Sequence, residues 1–96
     1  MYYSKEDIEE LKDLEKANKE IIINNFVNKF TNIIIDYIKG GYNSTITLTI
    51  FSSDIKNYIY RLEIVERLKL IFPSMKISTK YTIEDIEYFD ITFDWS

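Results

Sequence analysis

The chain has no cysteine and no histidine in its 96 residues, and only one proline and two glycines. Without cysteine, neither a disulfide framework nor a thiolate zinc site can form. Without histidine, the commonest general base and the commonest ligand for zinc, copper or iron are missing. Gly40-Gly41 is the only glycine pair, and neither GxGxxG nor GxxxxGK followed by Ser or Thr occurs. A phosphate-cradling loop is therefore excluded. The pair reads as a helix stop and a turn.

Long apolar runs are also lacking. Ile21-Ile22-Ile23 is broken at once by Asn24-Asn25, and the N-terminus Met1-Tyr2-Tyr3-Ser4-Lys5-Glu6-Asp7 carries no apolar signal core. The expected setting is the cytoplasm, a host cytoplasm or a virion, with no membrane partner. Arginine is scarce, with two residues against ten lysines, and Ile, Asn, Lys and Tyr make up 43 of the 96 positions. These four are encoded by AT-rich codons, a bias shared by AT-rich bacteria, their phages and some large DNA viruses. It describes a genome and carries no chemistry.

Hydrophobic residues form 46% of the chain and charged residues 29%, the balance of a folded domain. The formal charge of −4 is uneven, with five acids and no base in residues 83–96. Acidic ends argue against nucleic acid as a partner.

From Ser4, where Asp7 sits at the third position of a capping box, no glycine or proline interrupts the chain before Gly40. Two helical stripes fill this stretch. Ile8, Leu11 and Leu14 form a narrow one; Ile22, Phe26, Phe30, Ile33, Ile34, Tyr37 and Ile38 form a broad one. One helix over residues 5–39 would run roughly 50 Å at 1.5 Å per residue. A 96-residue body has a diameter near 30–35 Å, about 2.5 times its radius of gyration. Either the chain breaks near Ala17-Asn18-Lys19, or residues 4–18 leave the 19–96 body as an arm.

After the glycines the period becomes two. Ile46, Leu48 and Ile50 alternate with Thr45, Thr47 and Thr49, a half-buried strand. Ser52-Ser53-Asp54 offers caps for a second helix with Ile55, Tyr58, Ile59, Leu62, Val65, Leu68 and Phe72 inward, ended by Pro73. Strands over 75–81 and 88–95 follow, the latter with Phe89, Ile91, Phe93 and Trp95 inward. Residues 82–87 connect them by a tight turn or a short helical loop. The fold class expected is α+β, a two-layer sandwich in the order α-β-α-β-β. Its three-stranded mixed sheet has strand order 1-3-2, with both helices on one face. Lys76 and Lys80 then lie on an edge strand, where lysine discourages stray pairing.

No constellation of catalytic residues stands out. Glu63, Glu66 and Asp36 do not converge. Asp90 and Asp94 lie roughly 13 Å apart along a strand and cannot share one ion. Lys56, Tyr60, Glu63 and Arg67, with Arg61 and Lys69 nearby, form a basic-aromatic stripe read as an outward helix face. The outer sheet face is threonine-rich with one aromatic, Tyr88, and reads as solvated or as a protein-docking face.

Three functions are expected from these residues, in this order. The first is a non-enzymatic interaction module that self-associates, as a dimer first of all, through an arm comprising Tyr2, Tyr3, Ile8, Leu11 and Leu14. The second is an acidic inhibitor mimicking nucleic-acid phosphate through Glu84, Asp85, Glu87, Asp90 and Asp94. The third is a carboxylate- or tyrosine-based enzyme. No metal, no cofactor and no catalytic residue is expected.

Overall fold

A computed structural model describes residues 2–96. Its elements are α1 (Lys5–Lys39), β1 (Thr45–Phe51), α2 (Tyr58–Ile71), β2 (Lys76–Ile83) and β3 (Glu87–Asp94). The α+β order expected from the sequence is present.

α1 is one helix of 35 residues, with no break at Ala17-Asn18-Lys19. Its start is a full capping box: the Ser4 hydroxyl accepts from the Asp7 backbone N–H at 3.1 Å, and the Asp7 carboxylate accepts from Ser4 N–H at 3.0 Å. Asp7 thus does what Glu usually does at this position, and the two hydrogen bonds hold its pKa below the ordinary carboxylate value. At the other end Gly41 takes the left-handed φ of 67°. Gly40 has an ordinary helical φ, and a Cβ there would displace the exposed Tyr42 ring, which lies 4.8 Å from the Tyr37 ring.

The sheet has strand order β1-β3-β2, and both of its pairings are antiparallel. The expected order is correct, whereas the expected mixed sheet is not. β1 and β2 do point the same way, as a strand–helix–strand unit dictates. The hairpin returns β3 between them, so no two neighbouring strands are parallel. The hairpin loop is the three-residue stretch Glu84-Asp85-Ile86, a tight turn.

The second helix begins later than expected. Ser52, Ser53 and Asp54 form a turn, with Asp54 and Ile55 N–H both donating to the Phe51 carbonyl. This turn drops Ile55 into the core, and Asn57 becomes the cap, its side chain accepting from Ile59 N–H at 2.9 Å. Leu68 accepts from Phe72 N–H as the helix ends just before Pro73.

The core lies between one sheet face and two helices. It comprises Ile23, Val27, Phe30 and Ile34 of α1, Ile64, Val65 and Leu68 of α2, and Ile50, Ile55, Phe89, Ile91 and Phe93. Three details differ from the sequence reading. In α1 the buried line runs through Ile23 and Val27, while Ile22 and Ile38 are exposed. The triple isoleucine made the phase of the helix ambiguous, and Val27 with Phe30 and Ile34 settles it. In α2, Ile59 and Leu62 are exposed, because Arg61 takes the core-facing position, three, four and seven residues before Ile64, Val65 and Leu68. Tyr58, expected in the core, is about half exposed.

The molecule measures 57 × 31 × 18 Å with a radius of gyration of 16.5 Å. A rounded chain of this length would have a radius near 12–13 Å. The excess is α1: its first buried residue is Ile23, and every described residue before Lys19 is exposed. Residues 5–18 thus continue the core helix without interruption, with every residue exposed.

Candidate interaction surfaces

The arm is fixed at its root by a polar seam between the two helices. Arg67 donates to Glu20 at 2.8 and 3.0 Å, to Asn24 at 2.8 Å and to Glu63 at 2.9 Å, and Lys19 meets Glu63 at 2.7 Å. Lys19 also lies 5.8 Å from the Tyr60 ring centre. Hydrogen bonds from Lys19 first, and then from Arg67, hold the Glu63 carboxyl below its ordinary pKa. Tyr60, Glu63 and Arg67 were expected on an outward face; they look instead at α1. The basic stripe therefore does not exist as one free surface: Arg67 is spent on the seam, Arg61 is buried, Lys69 pairs with Glu66 at 3.4 Å, and Lys56 is exposed.

Beyond the seam the arm carries Ile8, Leu11 and Leu14 in the open, with Leu14 61% exposed. Tyr2 and Tyr3 precede it, and Tyr2 is 99% exposed. They join Asp7, Glu10, Leu11 and Leu14 in lining a shallow groove. The structure thus brings four of the five predicted arm residues to one surface, with Ile8 at its flank. It adds Ile22, which the sequence pattern assigns to the core stripe, and Ile21, which it assigns to neither stripe; both are exposed. At about 100° per residue, Leu11, Leu14, Ile21 and Ile22 centre some 160° around the helix from the buried line of Ile23, Val27, Phe30 and Ile34. The stripe faces away from the buried line, and its four side chains are exposed.

The five acids of the C-terminal region do not form one surface. Alternation along β3 places Asp90 and Asp94 on the outer sheet face and Glu87 on the inner side. Glu84 and Asp85 sit on the hairpin loop. On the outer face Asp90 accepts from the Thr49 hydroxyl at 2.6 Å and is in register with Lys80. Asp94 is in register with Lys76 and accepts from the Ser96 backbone and hydroxyl, which lowers its pKa. These carboxylates are locally compensated.

The outer face continues as rows across the sheet: Thr47-Thr92-Ser78, with the two threonine hydroxyls 2.9 Å apart, and Phe51-Tyr88-Thr82. Phe51 joins Tyr88 there as a second aromatic, their ring centres 6.4 Å apart.

Arg61 is the feature that sequence reading missed. It is 2% exposed, with its guanidinium 5.3 Å from the ring centres of both Tyr58 and Tyr81. Glu87 lies 3.8 Å from its Nη2 and accepts a hydrogen bond from the Tyr81 hydroxyl. Such a cation between two aromatic faces pins α2 to the β2–β3 hairpin. Its Nε and Nη1 have no protein partner, and both are closed off from solvent.

Among the described residues no three acidic side chains cluster closely enough to hold a metal ion, and no helix is long and apolar enough to cross a membrane. No protein-family model, curated protein or solved structure matches the chain.

Proposed function

We propose that the chain is a non-enzymatic protein-interaction module that self-associates through the projecting half of α1. The observation that carries this reading is the stripe of Leu11, Leu14, Ile21 and Ile22, turned away from the chain's own core and left open to solvent. An exposed apolar stripe on a capped, continuous helix is costly in water and is suited to helix-to-helix contact. Two further observations favour it. The Arg67 seam anchors the root of α1's projecting half to the body, so part of the ordering a partner needs is already in place. The acidic residues are divided between two sheet faces and a loop, which disfavours a phosphate-mimic role. The residue usage suggests an accessory or structural part in a phage or large DNA virus as the setting.

The test is the solution mass by light scattering of the full chain and of the double variant Leu11→Glu/Leu14→Glu. The wild-type chain should weigh about twice its 11.5 kDa and the variant should be monomeric, with unchanged circular dichroism from the body. A wild-type monomer at millimolar concentration would end the reading.

A further inference from the structure

We infer that the occupant of the arm stripe is a second copy of this chain lying antiparallel, on a two-fold axis near residue 16; this deepens the self-association reading and rests on it.

The spacing Leu11, Leu14, Asn18, Ile21 steps by three and four, the a and d positions of a heptad. Ile8 and Ile22 fall seven plus seven residues apart on one flank of that seam, both exposed. In an antiparallel pair each flank meets its own copy. A register in which position numbers on facing helices sum to about 30–32 sets Leu11 against Ile21 of the second copy, and Ile8 against Ile22. Leu14 then meets Asn18, while Leu11, Ile21, Ile8 and Ile22 each acquire an apolar partner. The contact runs from residue 8 to residue 22, about 21 Å of helix. The stripe lies opposite the core line, so the two bodies sit at opposite ends and on outer sides without collision.

A parallel pair fares worse on three counts. It sets Asn18 against Asn18 but leaves Ile8 facing Tyr3 and Ile22 facing Ala17. It places Glu10 against Glu15 of the other copy, twice. It also stacks Glu6, Asp7, Glu9 and Glu10 on the same four acids, with Lys5 the only base among them. The antiparallel arrangement moves those acids onto the uncharged stretch Ile22–Val27 of the second copy, with Lys29 just beyond it. It also opposes the two helix dipoles favourably. One like-charge approach remains, Glu15 near its own copy at the axis.

The natural absence of cysteine makes the orientation readable by disulfide trapping. Leu11→Cys and Ile21→Cys are prepared separately in the full chain, at positions whose exposure leaves the body intact. Each is oxidised alone and in a one-to-one mixture. The expected result is a cross-linked species of about twice 11.5 kDa as the main product of the mixture, with little from either variant alone. In this register like positions at residue 11 lie about 15 Å apart along the axis, beyond the reach of a disulfide. Efficient cross-linking of Leu11→Cys with itself would mean a parallel pair and overturn the inference while leaving self-association standing. No cross-link from any sample, with light scattering still reporting a dimer, would place the contact elsewhere and overturn it too. No cross-link together with a monomeric mass would remove the self-association reading itself.

Discussion

The two halves of α1 share one backbone and one hydrogen-bond ladder, yet they owe their order to different things. Residues 19–39 bury Ile23, Val27, Phe30 and Ile34 against the sheet and α2. Residues 5–18 bury nothing within the chain. A helical segment of that length is marginal in water unless something else supports it. Three supports are visible: the Ser4–Asp7 capping box at the tip, continuity with a core helix at the root, and the Arg67 seam across to α2. A fourth, a second copy along the open stripe, is the one proposed. The lesson is that helix content and core membership are separate properties, and a projecting helix marks where the chain has apolar surface to give to a partner.

The sharpest way to set the halves apart is truncation of one large side chain in each. Phe30→Ala should cost about 3–5 kcal/mol of folding stability, because a buried ring leaves a cavity. Leu14→Ala should change the stability of the dilute chain by no more than about 0.5 kcal/mol, since the side chain is exposed. Urea unfolding at micromolar concentration measures both; similar losses would break the contrast.

The seam is the next place to press. Arg67→Ala removes the donor to Glu20, Asn24 and Glu63 and should cost about 1 kcal/mol, the scale of a partly exposed charged network. Its larger effect should be local, with faster amide exchange in residues 8–18 than in 23–34.

A smaller effect follows from pH. The Glu63 carboxyl titrates below its ordinary 4.5 in the folded chain. Its contribution is therefore complete above about pH 4.5 and is lost as pH falls through the lowered value. The melting temperature should decline over that acid range, and Glu63→Gln should flatten this part of the profile. The smallest effect expected is from Ser4→Ala. It frays the first turn, lowering helix content by a few residues in circular dichroism without moving the melting temperature of the body.

Much of this architecture was legible in the residues. The period change after Gly40-Gly41, the alternation of β1 and the apolar weight of β3 are enough for the α-β-α-β-β order and for β3 in the centre. Length alone left two outcomes open, a break near Ala17-Asn18-Lys19 or a projecting segment, and the unbroken α1 removes the first. What the pattern hid was which side of α2 faces what. Arg61 sits at core spacing, but a charge at such a position is ordinarily assigned to solvent. Only the fold brings Tyr58 and Tyr81 to its two faces. The outward stripe of Tyr60, Glu63 and Arg67 was misplaced for the complementary reason. Its partners Lys19, Glu20 and Asn24 lie some 40 residues away in sequence, with no local signal linking them. The continuation of the arm stripe through Ile21 was hidden inside a triple isoleucine, of which only Ile23 is core.

Hydrogen exchange of the wild-type chain at two concentrations tests the contrast between the halves most directly. Residues 23–34 should exchange slowly at every concentration, because their protection comes from the core. Amides of residues 8–22 should exchange fast in the dilute chain and become protected by tenfold or more as concentration rises, in step with the solution mass. Protection of residues 8–22 that is the same at all concentrations would show that the arm needs no second copy, and would contradict the proposal.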